Sequence, residues 1–120
     1  MATYSKQFLS GSTQGKAVKV AATSSPGTTI HATGTSSTVI DEVWLFATNS
    51  SSSAVTLTIQ YGGTASPDNE TKLSIPATSG QTLVIPGFLL SGTGSAANTI
   101  YAYAGTANVI MISGYVNRVS

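Results

Sequence analysis

The sequence contains no cysteine among its 120 residues. This absence excludes disulfide bonds, thiolate catalysis and cysteine metal sites together. Histidine is almost as scarce, because His31 is the only one. A zinc site built from several histidines is therefore excluded, and a Ser/His/Asp triad would have to use this single residue. Since His31 lies between Ile30 and Ala32 in a weak strand pattern, we expect it to be a partly exposed strand residue.

Charged side chains are also few, with five Lys or Arg and four Asp or Glu residues. Nucleic-acid-binding proteins usually neutralise several phosphates with a clustered basic face, which these scattered cations do not provide. We therefore expect no nucleic-acid partner. Solubility depends instead on the hydroxyls of 18 serines and 18 threonines. Two interpretations are open: much of the surface is covered in an assembly, or the chain is a threonine-rich β protein.

Long apolar runs are absent as well. No stretch approaches the roughly 20 apolar residues of a membrane span. The first nine residues contain no apolar run of signal-peptide length. We expect a protein that has no membrane partner and folds in the cytoplasm where it is made.

The sequence does contain clear strand patterns. From Val55 to Tyr61, apolar and polar residues alternate for seven positions, which is typical of a half-buried strand. A second strand is predicted over residues 39–48, and the short polar turn at 49–53 predicts that the two strands form an antiparallel hairpin.

The first of these two strands is apolar on both faces from Val43 to Ala47. Such a run is typical of a central strand that is covered on both sides. We therefore expect Trp44 and Phe46 to be core residues.

Turn residues divide the rest of the chain into short strands at a spacing of roughly ten residues. These strands are predicted at 17–20, 28–32, 71–75, 81–85, 99–104 and 108–116. Pro76 and Pro86 are expected to end the strands before them, because proline cannot donate to the ladder. The sequence thus predicts an all-β fold, an antiparallel β-sandwich or jelly roll of about eight short strands.

The first 15 residues do not fit this strand pattern. We interpret residues 1–15 as an extended N-terminal arm and residues 16–120 as a single β-sandwich domain. An arm of this length reaches about 50 Å when extended, so it could contact a neighbouring subunit. Its apolar residues Tyr4, Phe8 and Leu9 are the candidate partner-binding residues. The alternative is a frayed terminus that packs loosely on its own domain.

The remaining polar residues form no recognisable catalytic or metal-binding pattern. Asp41 and Glu42 are adjacent, so on a strand they point to opposite faces and cannot flank one scissile bond. The segment 68–70 lacks the ligand pattern of a calcium loop, and the glycines at 92–94 precede no helix that could bind phosphate. We expect no catalytic, cofactor-binding or metal-binding residues, and we predict that the chain is not an enzyme.

Three segments resemble small β-rich virion proteins of tailed bacteriophages. They are Val43 to Asn49, Ala54 to Gly63 and Gly114 to Arg118. The class in question is the head decoration, or cement, proteins. The resemblance implies a virion protein on the capsid surface, made in the host cytoplasm, which binds the major capsid protein or other virion subunits. It also implies a homo-oligomer, often a trimer, that stabilises the head and has no active site or cofactor.

Two other functions remain open. Tail, neck and baseplate proteins can share the same composition. A carbohydrate-binding module of a host-recognition fibre is the third possibility, with Tyr101, Tyr103 or Trp44 as the stacking residues.

Overall fold

A computed structural model of the chain describes residues 3–63 and 68–120, with the backbone alone at Ser79. The first two residues of the predicted arm lie outside this range. The described residues form nine strands: β1 (Tyr4–Phe8), β2 (Val18–Lys19), β3 (Thr28–Ala32), β4 (Ile40–Asn49), β5 (Val55–Gln60), β6 (Glu70–Ile75), β7 (Ser79–Ser91), β8 (Thr99–Ala104) and β9 (Ile110–Val119).

The strands form two antiparallel sheets that pack face to face. The five-stranded sheet has the order β1-β9-β4-β7, and β2 pairs with β9 beside this path. The four-stranded sheet has the order β3-β8-β5-β6. The prediction of an all-β sandwich is confirmed. The structure contains one strand more than the approximate number expected, because residues 4–8 form β1.

The core lies between the two sheets and follows from the alternation of the strands. Every second residue of β4 is buried, and the residues of β9 in register with them face the same side. The four-stranded sheet supplies the opposing side chains from β3, β5 and β8. The largest fully buried aliphatic residues are Leu9, Ile30, Leu45, Leu57, Ile59, Ile75, Ile100, Ile110 and Ile112.

The predicted hairpin of β4 and β5 is wrong, because the two strands belong to different sheets. The turn between them is built around Asn49, which is 1% exposed. Its Nδ2 donates to the carbonyl oxygens of Ser53 and Ile75 at 2.9 and 3.0 Å. Its Oδ1 accepts from the N–H and the hydroxyl of Ser51. These bonds direct the chain across the sandwich, which the composition of a polar turn does not reveal.

The predicted strand end at Pro86 is also wrong, because β7 continues to Ser91. This strand lies at the edge of its sheet, where a missing N–H leaves no ladder bond unmade. The register with β4 shifts on both sides of the pair Trp44 and Leu45, so β7 accommodates the proline through bulges. Gly87 follows with a φ of 86°, and a Cβ there would lie 2.8 Å from the Trp44 ring.

The N-terminal segment is extended, and the structure pairs it with the domain. Tyr4 to Phe8 pair with Val119 to Tyr115 along the edge of the five-stranded sheet. Leu9 is 1% exposed and belongs to the core. Beyond it, the N–H of Gly11 donates to the carbonyl oxygen of Ile30 at 2.9 Å. The segment that the sequence suggested as an arm therefore adds an edge strand to the sandwich.

We predict that Asn49→Asp destabilises the fold by about 3 kcal/mol, because the two donated hydrogen bonds are lost and a carboxylate faces two carbonyl oxygens. Chemical unfolding in urea at pH 7 measures this change. Asn108→Asp is the matched control, since Asn108 is exposed, and its stability is expected to change by less than about 0.5 kcal/mol. Equal stabilities of the two variants would contradict the role given to Asn49.

Candidate functional site: the outer face of the five-stranded sheet

The two outward-facing surfaces of the sandwich differ in chemistry. On the four-stranded sheet, the side chains in register across β5, β6 and β8 are mainly polar: Thr56, Glu70, Lys72, Ser74, Tyr101 and Tyr103, with Thr58 and Gln60 buried between them and the loops around them. On the five-stranded sheet they are mainly apolar. We call the following residues the outer face: Tyr4, Lys6, Phe8, Lys19, Ile40, Glu42, Trp44, Phe46, Thr48, Leu83, Pro86, Leu89, Met111, Ser113, Tyr115, Asn117 and Val119.

Several apolar side chains of the outer face are strongly exposed. Tyr4, Phe8, Leu83 and Leu89 are 75%, 64%, 46% and 63% exposed. If an aromatic side chain is given about 200 Å², the exposed parts of Tyr4 and Phe8 alone come to about 280 Å². The largest apolar patch on a typical monomer is about 300–600 Å² and is often functional. With the two leucines, the outer face is a patch of that size.

The expectation that Trp44 and Phe46 are core residues is wrong. Both are half-buried and lie on the outer face, whereas their neighbours Val43, Leu45 and Ala47 fill the core. The described residues cover β4 on one side only. The prediction that this strand is covered on both sides is therefore wrong: among the described residues, cover is present on the inner side alone, although the apolar run from Val43 to Ala47 is of the kind found in doubly covered strands.

A row of rings crosses the middle of the outer face. Phe8 pairs with Tyr115, Tyr115 with Trp44, and Trp44 with Pro86, so the four side chains follow one register line across four strands. The Trp44 and Tyr115 rings are parallel within 10°, and their centroids are 6.3 Å apart. The Lys6 ammonium lies 5.5 Å from the Tyr115 ring centroid, within cation–π range.

The outer face is nearly neutral and its polar groups are held in place. The Glu42 carboxylate accepts hydrogen bonds from Asn117 Nδ2 and Trp44 Nε1, both at 2.9 Å. These two bonds lower the pKa of Glu42. Together with Lys6 and Lys19, this residue gives the face two positive charges and one negative charge. Recognition at this surface must therefore rest on apolar contact and shape, because its electrostatic field is weak.

The structure separates the residues that the sequence analysis grouped as candidates. Tyr4 and Phe8 lie exposed on the outer face, whereas Leu9 is buried and cannot contact a partner unless it leaves the core. Tyr101 and Tyr103 lie on the four-stranded sheet, on the opposite side of the sandwich from Trp44. The three residues cannot form one stacking platform. Among the described residues, no three His, Asp or Glu side chains group as a metal site would require.

A buried polar network lies behind the outer face, and it contains the only histidine. A bulge in β3 between Thr29 and His31 leaves two successive side chains buried, Ile30 and His31. His31 Nε2 donates to Asp41 Oδ2 at 2.8 Å. Its Nδ1 accepts from the Ser10 N–H at 3.0 Å, so the ring is neutral with its proton on Nε2. The expectation of a partly exposed histidine is wrong, because His31 is 1% exposed.

Arg118 completes this network from β9. Its Nε donates to Asp41 Oδ1 at 2.8 Å and its Nη2 donates to Oδ2 at 3.0 Å. His31 and Asp41 resemble two members of a catalytic triad, but each is 1% exposed and both ring nitrogens are occupied. The network connects the N-terminal segment to strands of both sheets, so its role is structural. Sequence reasoning missed it, although Asp41 shares the inward alternation of Val43 and Leu45.

The charge of Asp41 is coupled to folding. Burial raises the pKa of its carboxyl, but hydrogen bonds from Arg118 and His31 and the charge of Arg118 outweigh burial, so the pKa of Asp41 is lowered from its usual value. The same contact raises the pKa of Arg118. Because the folded-state pKa lies below the unfolded one, this stabilisation is complete at neutral pH and is lost as the pH falls below about 4.

We predict that Asp41→Asn lowers the free energy of unfolding by about 3 kcal/mol at pH 7, because it leaves Arg118 and His31 without an ionised partner. The difference from the unchanged protein should shrink as the pH falls from 5 to about 2.5. Urea unfolding across this range measures both effects. Asp68→Asn is the control, since Asp68 is exposed. A difference that stays the same at every pH would show that Asp41 is not ionised in the folded state.

Comparisons with known proteins leave the site to be interpreted from its own geometry. In the part of the chain that the structure describes, no helix has the length and apolar character needed to cross a membrane. No protein-family model matches the sequence. No curated protein matches it significantly.

Proposed function

We propose that this chain is a structural assembly subunit that acts through surface contact and not through catalysis. The observation that carries the proposal is the outer face. Its exposed aromatic and leucine side chains are not covered by any other described part of the chain. Burial of apolar surface is worth about 25 cal/mol per Å², so leaving such a face in water is costly. A partner that covers it recovers part of that free energy.

Within this class we propose a virion structural protein, a capsid decoration subunit that binds and stabilises a phage head. The resemblance of the segments from Val43 to Arg118 supports this assignment, and the low charge of the chain suits it. Its partners would be the major capsid protein or other virion subunits. Each contact can be weak, because many copies on one shell gain avidity from repetition.

A tail, neck or baseplate component is the nearest alternative. The same apolar face would serve it equally well, and only the location and number of copies separate the two.

A carbohydrate-binding module is the second candidate class, and the row of rings through Trp44 and Tyr115 favours it. Parallel aromatic rings on one sheet can stack against sugar rings. The exposed leucines beside the row fit a protein partner better than a sugar, since they offer no hydrogen bond. A glycan array with the unchanged protein and Tyr115→Ala tests this alternative. Binding that depends on Tyr115 would favour the carbohydrate function.

We predict that Leu89→Lys weakens incorporation into virus particles at least tenfold, because it puts a charge in the apolar contact. Leu89 is 63% exposed, so the folded domain tolerates the change. Thr56→Lys is the matched control, since Thr56 is exposed on the polar face of the other sheet. Incorporation is measured by quantitative blotting of purified particles that carry each tagged variant.

The position and number of copies in an intact particle complete the test. Electron cryomicroscopy should show hundreds of copies on the outer surface of the head. Six or twelve copies at a vertex or tail would instead support a neck or baseplate component. Absence of the chain from purified particles would overturn the virion assignment.

A further inference from the structure

We propose that the neighbour across the outer face is a second copy of this chain, so that two sandwiches pack face to face about a two-fold axis. This inference rests on the proposed function in one respect, that the outer face is covered in an assembly. It names the copy that covers this face, whereas the proposed function names the major capsid protein or other virion subunits without assigning one of them to the outer face.

The size of the outer face fits one such interface. The central strands β4 and β9 are each ten residues long. Four strands about 4.8 Å apart, with a rise of about 3.4 Å per residue, give a footprint of about 650 Å² before side-chain relief is added. A stable protein interface buries about 800 Å² on each partner. One copy therefore offers the area that a stable pair needs.

The arrangement of the face is suited to two-fold pairing. Trp44 and Tyr115 occupy the middle outward position of β4 and of β9, and one further strand lies on each side of this pair. A two-fold axis that runs between β4 and β9 along the strands places β9 of each copy over β4 of the other. It also places β1 over β7. The row of rings then covers itself, as an isologous interface requires.

The charges of the face permit contact with a copy of itself. A face with many charges of one sign would repel its copy, whereas Lys6, Lys19 and Glu42 leave this face a net charge of only one positive unit. The Glu42 carboxylate already accepts two hydrogen bonds, so its burial leaves it partnered. Lys6 lies on the edge strand β1, and its ammonium, 5.5 Å from the Tyr115 ring centroid, keeps this cation–π contact when the face is covered.

Pairing also accounts for the contrast between the two sides of the sandwich. When two copies close over their outer faces, both sheets that remain in water are the four-stranded ones. Those carry hydroxyl, amide and charged side chains such as Thr56, Lys72 and Ser74. A chain with only nine charged residues thus remains soluble without exposing its apolar sheet.

The test measures the mass of the unchanged protein in solution by sedimentation equilibrium from about 1 to 100 μM. We expect twice the chain mass of 12.1 kDa at the upper end of this range. Trp44 is the only tryptophan and lies at the centre of the proposed interface, so its fluorescence emission should shift to shorter wavelength as the pairs form. The shift should follow the same concentration dependence as the mass.

The variant Leu89→Lys should raise the dissociation constant of the pair at least tenfold, and Thr56→Lys should leave it unchanged. Circular dichroism checks that each variant is folded. If Leu89→Lys does not fold, Phe8→Lys replaces it, because Phe8 is 64% exposed on the same face. A monomer at 100 μM, a trimer, or a pair that both face variants leave intact would overturn the proposal.

The outcomes separate this inference from the proposed function. If the protein is monomeric in solution but Leu89→Lys is not incorporated into particles, the face meets a different virion protein. The pairing is then wrong and the proposed function stands. If the protein pairs through the outer face but is absent from particles, the pairing stands and the virion assignment fails.

Discussion

The two central strands of the five-stranded sheet, β4 and β9, carry apolar residues on both faces. The described residues supply a second sheet that covers the inner face alone. The inner residues, such as Leu45 and Ile112, are fully buried against the four-stranded sheet. The outer residues Trp44 and Tyr115 can bury only against each other and the neighbouring strands. Burial on one side thus produces both the stable core and the apolar surface on which the proposed function depends.

The polar network of His31, Asp41 and Arg118 connects the N-terminal segment to both sheets. Asp41 binds Arg118 on the adjacent strand and His31 on the opposite sheet, and His31 in turn accepts from the backbone of Ser10. A buried ion pair adds little net stability over an apolar packing, because desolvation offsets the attraction. Its members must nevertheless stay together, since an unpaired buried charge is costly. The network therefore favours one arrangement of the N-terminal segment against both sheets.

These two features are the basis for proposing assembly and not catalysis as the function. Of the titratable groups that lie closest together, His31 and Asp41 are buried and Arg118 is partly exposed, and all three are already bonded to one another through Asp41. The groups that reach solvent on the outer face are mainly rings and leucines, together with three charged side chains, Lys6, Lys19 and Glu42. Such a surface gains free energy when it is covered, and its weak field permits contact with a near-neutral partner. The proposed pairing and the proposed place in a virion both depend on the free energy that this surface gains when it is covered.

The sequence by itself determined most of the strands, because alternation such as that of Val55 to Gln60 and the turn residues between runs are local signals, whereas β1 and the second half of β7 were missed. It also determined that Leu45 lies in the core. Only the tertiary structure decided which strands pair, since the turn after Asn49 leads to the other sheet through hydrogen bonds to distant backbone. It likewise decided the burial of His31 and the exposure of Trp44. Burial depends on which element covers a residue, and that cover comes from parts of the chain far away in sequence.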